Sequence, residues 1–434
     1  MEPVTAGLVG TVALLVLFAL DMPVAFAMAL VGFLGFSYIV GWESGAALLA
    51  NDMFDQLSFY PLSVIVLFVL MGSFAFASGM SRRLYDSSYK IAGRLPGGLA
   101  FATVLACTGF AAICGSTAAT AATVGRVALS EMKRYGYSDS LATGAVAATG
   151  SIGILIPPST IFIVYGILTE QSIGELFAAG ILPGIMLCGL FLLTVLIIAL
   201  RHPEMAPAGT SSSLREKVTA LWKMTDIFIL FFVSIGGLFL GWFSPNQAAG
   251  VGAGGALLIG ILGRELTWEK FILCTRQGLR TACMVMFLIA GATVFGKFMA
   301  VSTIPTAIST WIGGLPYPPV VIMAILCVIF FIGGCFIDAM ALVILTVPML
   351  YPVVLKINYD PVFFGVVVVL VSQIGVITPP VGANVFVVKG IAEDVPIEQI
   401  FKGTFPFLLA IIVALCIVVA FPEITLYLPK LLVK

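Results

Sequence analysis

The chain has 434 residues, of which 61% are hydrophobic and 10% charged, whereas a soluble domain has roughly 45–50% apolar and about 25% charged residues. That is the composition of a polytopic membrane protein. Twenty-one basic residues balance 21 acidic ones, and no basic stripe is long enough to neutralise a phosphate backbone, so nucleic-acid binding is excluded. A single histidine, His202, and eight cysteines without a CxxC pair provide no framework for a His/Cys metal site or for disulfides. No GxxxxGK[ST] sequence occurs, so ATP binding through a Walker loop is excluded as well.

A helix that crosses the bilayer needs about 20 apolar residues. In chain order the apolar stretches are 4–20, 22–41, 60–78, 96–113, 116–130, 140–168, 178–200, 226–243, 246–263, 281–300, 318–335, 339–355, 361–391 and 404–422. The start, Met1-Glu2-Pro3, has no basic region and no cleavage site, so 4–20 reads as a retained span rather than a signal peptide. The aromatic residues around 42–60 and 311–317 predict interfacial anchoring. Residues 201–225, rich in Pro, Ser and Lys/Arg, read as an exposed linker at mid-chain. Gly250, Gly252, Gly254 and Gly255 lie in an apolar run with no strand before them, which predicts close helix packing rather than a dinucleotide fold. Two long runs are interrupted by Pro157-Pro158 and by Pro379-Pro380. Proline removes a backbone donor and clashes with the preceding turn, so each pair predicts a helix broken within the membrane.

The two breaks belong to an internal repeat. SIGILIPPS at 151–159 falls on QIGVITPPV at 373–381, an offset of 222. At the same offset Pro23 meets Pro245 and Tyr137 meets Tyr359; after a two-residue slip, Gly166, Ile173 and Phe177 meet Gly390, Ile397 and Phe401. Loop 79–95 carries Arg82, Arg83, Lys90 and Arg94, while its mate 301–317 is uncharged. Residues 43–59 are purely acidic, while their mate 265–281 carries Lys270, Arg276 and Arg280. Short basic loops stay in the cytoplasm, so the halves are predicted to face opposite ways. The loops 170–175 and 393–398, both acidic, do not fit, but acids contribute little to that rule. Inverted repeats with mid-membrane breaks point to a secondary transporter with its site near the midplane, rather than to a channel.

Polar chemistry gathers at matching places. Gly115-Ser116-Thr117 lies mid-way through the paired segment 96–130, and Asp338 aligns with Ser116 in the paired segment 318–355. Asp338 is the one charge in 318–354, where an acid costs about 2.5–3.5 kcal/mol unless water, a cation or a donor meets it. It is therefore the first candidate functional residue, read as a buried acid. The sequence places both groups where the tip of a re-entrant hairpin would lie. Unwinding at Gly153 to Pro158 and at Gly375 to Pro380 is expected to free carbonyl oxygens for a hard cation such as sodium. The following N–H groups, at Ser159-Thr160 and Gly382-Ala383-Asn384, suit an anionic substrate. Lys297 reads either as a snorkelling residue or as an offset for a substrate carboxylate.

GSTAAT at 115–120, GILIPPS at 153–159, LFAAGILPG at 176–184, FIDAMA at 336–341 and GVITPPVGANVFV at 375–387 resemble the large membrane subunit of tripartite ATP-independent periplasmic (TRAP) transporters. The resemblance covers essentially the whole chain. It implies an all-α, multi-pass elevator transporter of the bacterial inner membrane, built from two inverted-topology repeats with re-entrant hairpins and Pro-Pro broken helices. It also implies sodium as the coupling ion and an organic acid anion, such as a C4-dicarboxylate or sialic acid, as cargo. The partners it implies are an extracytoplasmic substrate-binding protein, the surrounding lipid, and a small four-helix membrane subunit, expected here as a separate chain.

Carried onto this sequence, Ser116, Thr117, Ser159, Thr160, Asp338 and Asn384 are the expected substrate contacts. Gly115, Ser116, Gly153, Pro157, Asp338, Gly375, Thr378, Pro379 and Gly382 are the expected sodium ligands, partly through backbone carbonyls. The expected division is scaffold at 1–95 and 226–317, transport halves at 96–177 and 318–400, last spans at 178–200 and 401–434, and a cytoplasmic linker at 201–225. A self-sufficient sodium/dicarboxylate symporter of the same superfamily is the alternative. A membrane enzyme is disfavoured, because no HExxH, GxSxG or paired-aspartate constellation lies near the midplane.

Overall fold

A computed structural model describes residues 2–209, 212–313 and 316–432. Parts of three expected features, residues 210–211 of the linker, 314–315 of the loop 301–317 and 433–434 of the C-terminal segment, lie outside the described residues. Helices account for about four fifths of the described chain, and no strand occurs among the described residues. The first half contains α1 (Pro3–Ala19), α2 (Val24–Val40), α3 (Trp42–Ser58), α4 (Ser63–Ala77), α5 (Met80–Ala92), α6 (Gly98–Cys114), α7 (Thr117–Arg134), α8 (Asp139–Gly150), α9 (Thr160–Thr169) and α10 (Ile173–Arg201). The second contains α11 (Leu214–Trp222), α12 (Thr225–Phe231), α13 (Gly237–Phe239), α14 (Pro245–Leu262), α15 (Trp268–Val301), α16 (Ile304–Gly313), α17 (Pro319–Phe336), α18 (Ala339–Lys356), α19 (Pro361–Gly375), α20 (Ala383–Lys389), α21 (Ile397–Ala420) and α22 (Glu423–Leu432).

Local chemistry sets many of the helix starts. Ser116, Ser138, Ser159, Ser172, Ser213, Ser244, Thr267, Asp338 and Asp360 each accept a hydrogen bond from a backbone N–H of the helix that follows, satisfying donors that a helix start leaves free. Under the 222-residue offset α7 and α18 start together, at Thr117 and Ala339, and so do α8 and α19, at Asp139 and Pro361.

The interior is built on the broken helices. Every residue from Leu141 to Gly150 and from Val362 to Gly375 is buried, and apart from Gln373 both sequences are apolar or small on all faces, as a central helix requires. The hairpin arms α6 and α7 pack on α8, and α17 and α18 pack on α19. The halves also cross over, with α7 on α20 and α18 on α9. Tyr165 of α9 donates to the Pro361 carbonyl at the start of α19 at 2.6 Å, adding a link between the two broken helices. Around this centre α2 packs on α15, α4 on α14 and α15, and α21 on α8. At the last contact a Cβ on Gly403 would lie 1.8 Å from the Ser140 carbonyl, so only glycine admits this approach of two backbones.

Among the described residues, six helices are long and apolar enough to cross a membrane, or seven if the bent pair Leu214–Trp222 and Thr225–Phe239 counts as one. Several other apolar stretches form helices of 17 residues or fewer, including Gly98–Cys114, Thr160–Thr169 and Pro361–Gly375, because tips and breaks divide them.

Two expectations are corrected. The loop 79–95 is largely the amphipathic helix α5, which buries Met80, Leu84, Tyr85 and Ala92 on one side. The basic segment 265–281, from Trp268 onward, and the span 281–300 form one 34-residue helix, α15, since no proline separates them and Gly278 is accommodated inside the helix. The linker 201–225 is mostly exposed and is held at several points: Gly97 N donates to Ala206 O, Ser138 N to Met205 O and Tyr137 Oη to Pro207 O, and α11 packs on α5. A capping box between Ser213 and Glu216 starts α11. Arg83 then clamps α5 to the second half, 2.7 Å from Asp226 and 3.0 Å from Glu265.

The glycine-rich stretch behaves as expected at two positions. A Cβ on Gly252 would meet Met71 Sδ at 2.3 Å and one on Gly255 would meet Leu230 at 2.7 Å, whereas Gly250 and Gly254 have room.

Candidate functional site

The first hairpin turns at Gly115-Ser116. Gly115 adopts φ +65° to end α6, a conformation that favours glycine, and a Cβ there would lie 2.4 Å from the Pro158 carbonyl. Ser116 caps α7 through Ala119 N. The tip is stitched to the first break: Gly115 O accepts from Thr160 N at 3.4 Å and from Thr160 Oγ1 at 2.9 Å. A Cβ on Gly153 would meet Ser116 O at 2.6 Å. Ser159 Oγ donates to Ile154 O at 2.5 Å and caps α9 by accepting from Phe162 N. Gly115, Ser116, Gly153, Ser159 and Thr160 therefore form one assembly, with Pro157 in the same break and Thr117 as the first residue of α7.

The second hairpin turns at Ile337-Asp338. Asp338 caps α18, its Oδ2 accepting from Met340 N at 3.0 Å. Beside it, Val381 N donates to Cys335 O, and a Cβ on Gly375 would meet the Gly334 carbonyl carbon at 2.5 Å. Thr378 Oγ1 donates to Ile374 O at 2.6 Å. Gly382, at φ +57°, lies against Phe401 and starts α20. Asn384 binds back to the end of α19 through Val376 O and reaches across to the first half, its Nδ2 donating to Ala147 O at 3.1 Å.

The two assemblies match in plan but differ in exposure. Residues 151–160 are all buried, whereas Pro379, Pro380 and Val381 are exposed. Beside the second break lies an open cavity of about 490 Å³ bounded by Ile377, Pro379, Phe401, Thr404, Phe405 and Leu408. Asp338, read as a buried acid, lies at the surface of this chain, at the turn between α17 and α18. The hydroxyls of Ser159 and Thr160, expected to meet substrate, are buried and engaged within the protein.

Both breaks offer oxygen. The carbonyls of Ile156, Pro157 and Pro158 accept no hydrogen bond from the described residues, and neither do those of Pro379 and Pro380. Unpaired carbonyls of this kind suit a hard monovalent cation. By contrast, no group of three His, Cys, Asp or Glu able to hold a metal ion occurs among the described residues.

Residues 11–424 match the family described as "Tripartite ATP-independent periplasmic transporter, DctM component". The chain belongs to this family. The C4-dicarboxylate TRAP transporter large permease protein DctM of Pseudomonas aeruginosa is 34% identical over 383 residues, covering 88% of this chain and 89% of its own. The sialic acid TRAP transporter large permease protein SiaM of Vibrio cholerae is 31% identical over 412 residues, covering 94% and 95% respectively. Among solved structures, the YdaH transporter of Alcanivorax borkumensis aligns with a TM-score of 0.62 at 16% identity, covering 87% of this chain and 88% of that one. That likeness is one of fold alone. The chain is accordingly a multi-pass membrane transport subunit and not an enzyme.

Two features of this DctM-family chain escaped the sequence reading. Lys297 pairs with Asp52, an acid read only as part of a loop. Gln373, fully buried one turn before the second break, has no partner for either end of its amide. A signal for it was available, since it is the residue that aligns with Ser151 in an otherwise apolar run. Lys133 at the end of α7 also pairs with Asp394 beyond α20, and this hydrogen bond holds the Asp394 carboxyl below the usual carboxylate range.

Proposed function

We propose that this chain is the large membrane subunit of a sodium-coupled importer for a small organic acid anion, in the class of C4-dicarboxylates and sialic acid. An extracytoplasmic binding protein delivers the anion, a small four-helix membrane subunit braces the scaffold, and the complex sits in the bacterial inner membrane. The observation that carries this reading is the match of residues 11–424 to the DctM family, with relatives named for dicarboxylate and sialic acid transport at 34% and 31% identity.

In this reading the two halves are inverted-topology repeats, and 96–177 and 318–400 move together against the scaffold 1–95 and 226–317. The pairing of α7 with α20 and of α18 with α9 supports that grouping, since it joins the two transport halves to each other. Sodium would be held by the carbonyls of the breaks near Gly153, Pro157, Gly375, Thr378, Pro379 and Gly382, and by the tips at Gly115, Ser116 and Asp338. The anion would meet Ser116, Thr117 and Asp338, with Ser159, Thr160 and Asn384 shaping the site from behind.

Uptake into proteoliposomes tests the reading. The chain is reconstituted with its small subunit, the binding protein is loaded with labelled succinate or sialic acid, and an inward sodium gradient is imposed. Accumulation that requires both the gradient and the binding protein is expected. Accumulation without the binding protein would favour the self-sufficient symporter, and dependence on a proton gradient alone would remove sodium coupling.

A further inference from the structure

Helices α5 and α11 bring together two basic segments that lie far apart in sequence. Residues 79–95 and 212–226 carry seven basic side chains against three acids, and short basic segments stay on the cytoplasmic side of a membrane. The two helices pack on each other, with Ser87 Oγ donating to the Ala220 carbonyl at 3.1 Å. Beside that join lies an open cavity of about 490 Å³.

The charges that line this cavity do not cancel. Arg83 is engaged by Asp226 and Glu265. Lys90, from α5, and Lys223, from the end of α11, also line it, and neither forms an ion pair among the described residues. Against these two lysines the cavity wall sets one remaining carboxylate, Asp86. The cavity is therefore net positive, and its size admits a phosphoglycerol group.

A second observation lies on α11 itself. Leu214, Val218, Leu221 and Trp222 recur at helical spacing on one face, and all four are exposed. At 3.6 residues per turn Arg215 and Lys217 fall on either side of that stripe, the pattern of a helix lying in a membrane interface. The stripe leads into the following span, which meets α11 at 41° and exposes Phe228, Ile229 and Phe232. One short helix thus lines a basic cavity and extends a lipid-facing surface, a combination that suits a ligand with an anionic head and apolar chains. We propose that the cavity between α5 and α11 holds the headgroup of an anionic phospholipid of the cytoplasmic leaflet. Lys90 and Lys223 meet its phosphate, and the apolar stripe of α11 lies along its acyl chains.

Thermal unfolding of the detergent-purified full chain in constant KCl, titrated with phosphatidylglycerol or with phosphatidylcholine of the same acyl chains, tests the proposal. Wild type is expected to rise in Tm with phosphatidylglycerol and not with phosphatidylcholine. Potassium phosphate at the same concentration is expected to leave Tm unchanged. The pair Lys90→Gln and Lys223→Gln is expected to raise the half-maximal phosphatidylglycerol concentration about tenfold. The pair Val218→Gln and Trp222→Gln is expected to weaken the response as well. The pair Arg276→Gln and Arg280→Gln on α15 removes equal charge elsewhere and is expected to leave it intact. A phosphatidylglycerol response that the lysine pair keeps unchanged, or that the arginine pair loses equally, overturns the site and leaves only general attraction of a basic surface. A rise with potassium phosphate alone reassigns the cavity to a soluble anion, and a response that disappears in the complex with the small subunit reassigns the face to that subunit; either result overturns the lipid site.

Discussion

Lys297 on α15 holds its Nζ 2.5 Å from Oδ1 of Asp52 on α3, across 245 residues of sequence. Asp52 keeps 8% of its side chain exposed and Lys297 keeps 52%, so the lysine reaches over a rim to neutralise an acid that the helices enclose. Asp52 Oδ2 has no other partner. Lys297→Met would therefore leave a buried carboxylate unpaired. With the lysine half exposed, the loss is set at about 1–2 kcal/mol rather than the larger figure for fully buried pairs. It is expected as a fall of a few degrees in Tm, mostly recovered by adding Asp52→Asn. Equal losses in the single and double variants would assign the lysine a packing role instead.

Gly115 is subject to two separate constraints, a left-handed backbone and the Pro158 carbonyl 2.4 Å from where a Cβ would stand. Gly136 is subject to one, since it adopts φ +76° with nothing within 4 Å. Gly136→Ala is expected to destabilise by about 1 kcal/mol and leave uptake intact. Gly115→Ala is expected to cost about 2 kcal/mol or more and reduce uptake at least tenfold, because the tip must part from the break. Matching effects in the two variants, measured by Tm and sodium-driven uptake, would show that backbone conformation alone is felt and that the seat of the tip on the break is unimportant.

Asp338 can act as a charge or as a cap, and two substitutions separate these roles. Asparagine keeps an oxygen for Met340 N, while alanine removes it, at a cost of about 0.5–2 kcal/mol to α18. The charge reading expects Asp338→Asn to keep wild-type Tm and lose most uptake, and Asp338→Ala to lose both. Full uptake by the asparagine variant would reduce Asp338 to a structural cap.

The parts of this fold that the sequence disclosed are those that depend on local chemistry. Pro157-Pro158 and Pro379-Pro380 forbid a continuous helix wherever they sit, and both breaks fall there. Ser116 and Asp338 are capping residues within apolar runs, and both cap hairpin arms. Other features depend on partners distant in sequence. A search for apolar runs passes over amphipathic helices such as α3 and α5, whose burial comes from a single face. The docking of Ala206 and Pro207 on the ends of the first hairpin's flanking helices has no local signal, and neither does the pairing of Lys297 with Asp52. The place of Asp338 at the surface of this chain depends on how the second hairpin packs, which hydropathy does not encode.

The cavity between α15, α16 and α18 provides the strictest test of movement. It encloses about 280 Å³ and is bounded by Gly296, Ala300 and Pro305 on one side and by Ile344, Leu345 and Pro348 on the other. In the proposed function these walls belong to the scaffold and to a transport half, so they must slide past each other in every cycle. A side chain on Gly296 meets no atom within 4 Å, so cysteine is tolerated there. With the exposed Cys283 and Cys416 replaced by serine, cysteines are introduced at Gly296 and Leu345 and joined by a reducible bifunctional thiol reagent. Uptake is expected to fall in proportion to the cross-linked fraction and to return on reduction, while each single-cysteine variant treated alike keeps its activity. Loss of uptake in a single-cysteine variant would show that occupying the cavity is enough to block transport. Undiminished uptake by fully cross-linked protein would mean that α15 and α18 travel as one body, and the boundary between scaffold and transport half would then have to lie elsewhere.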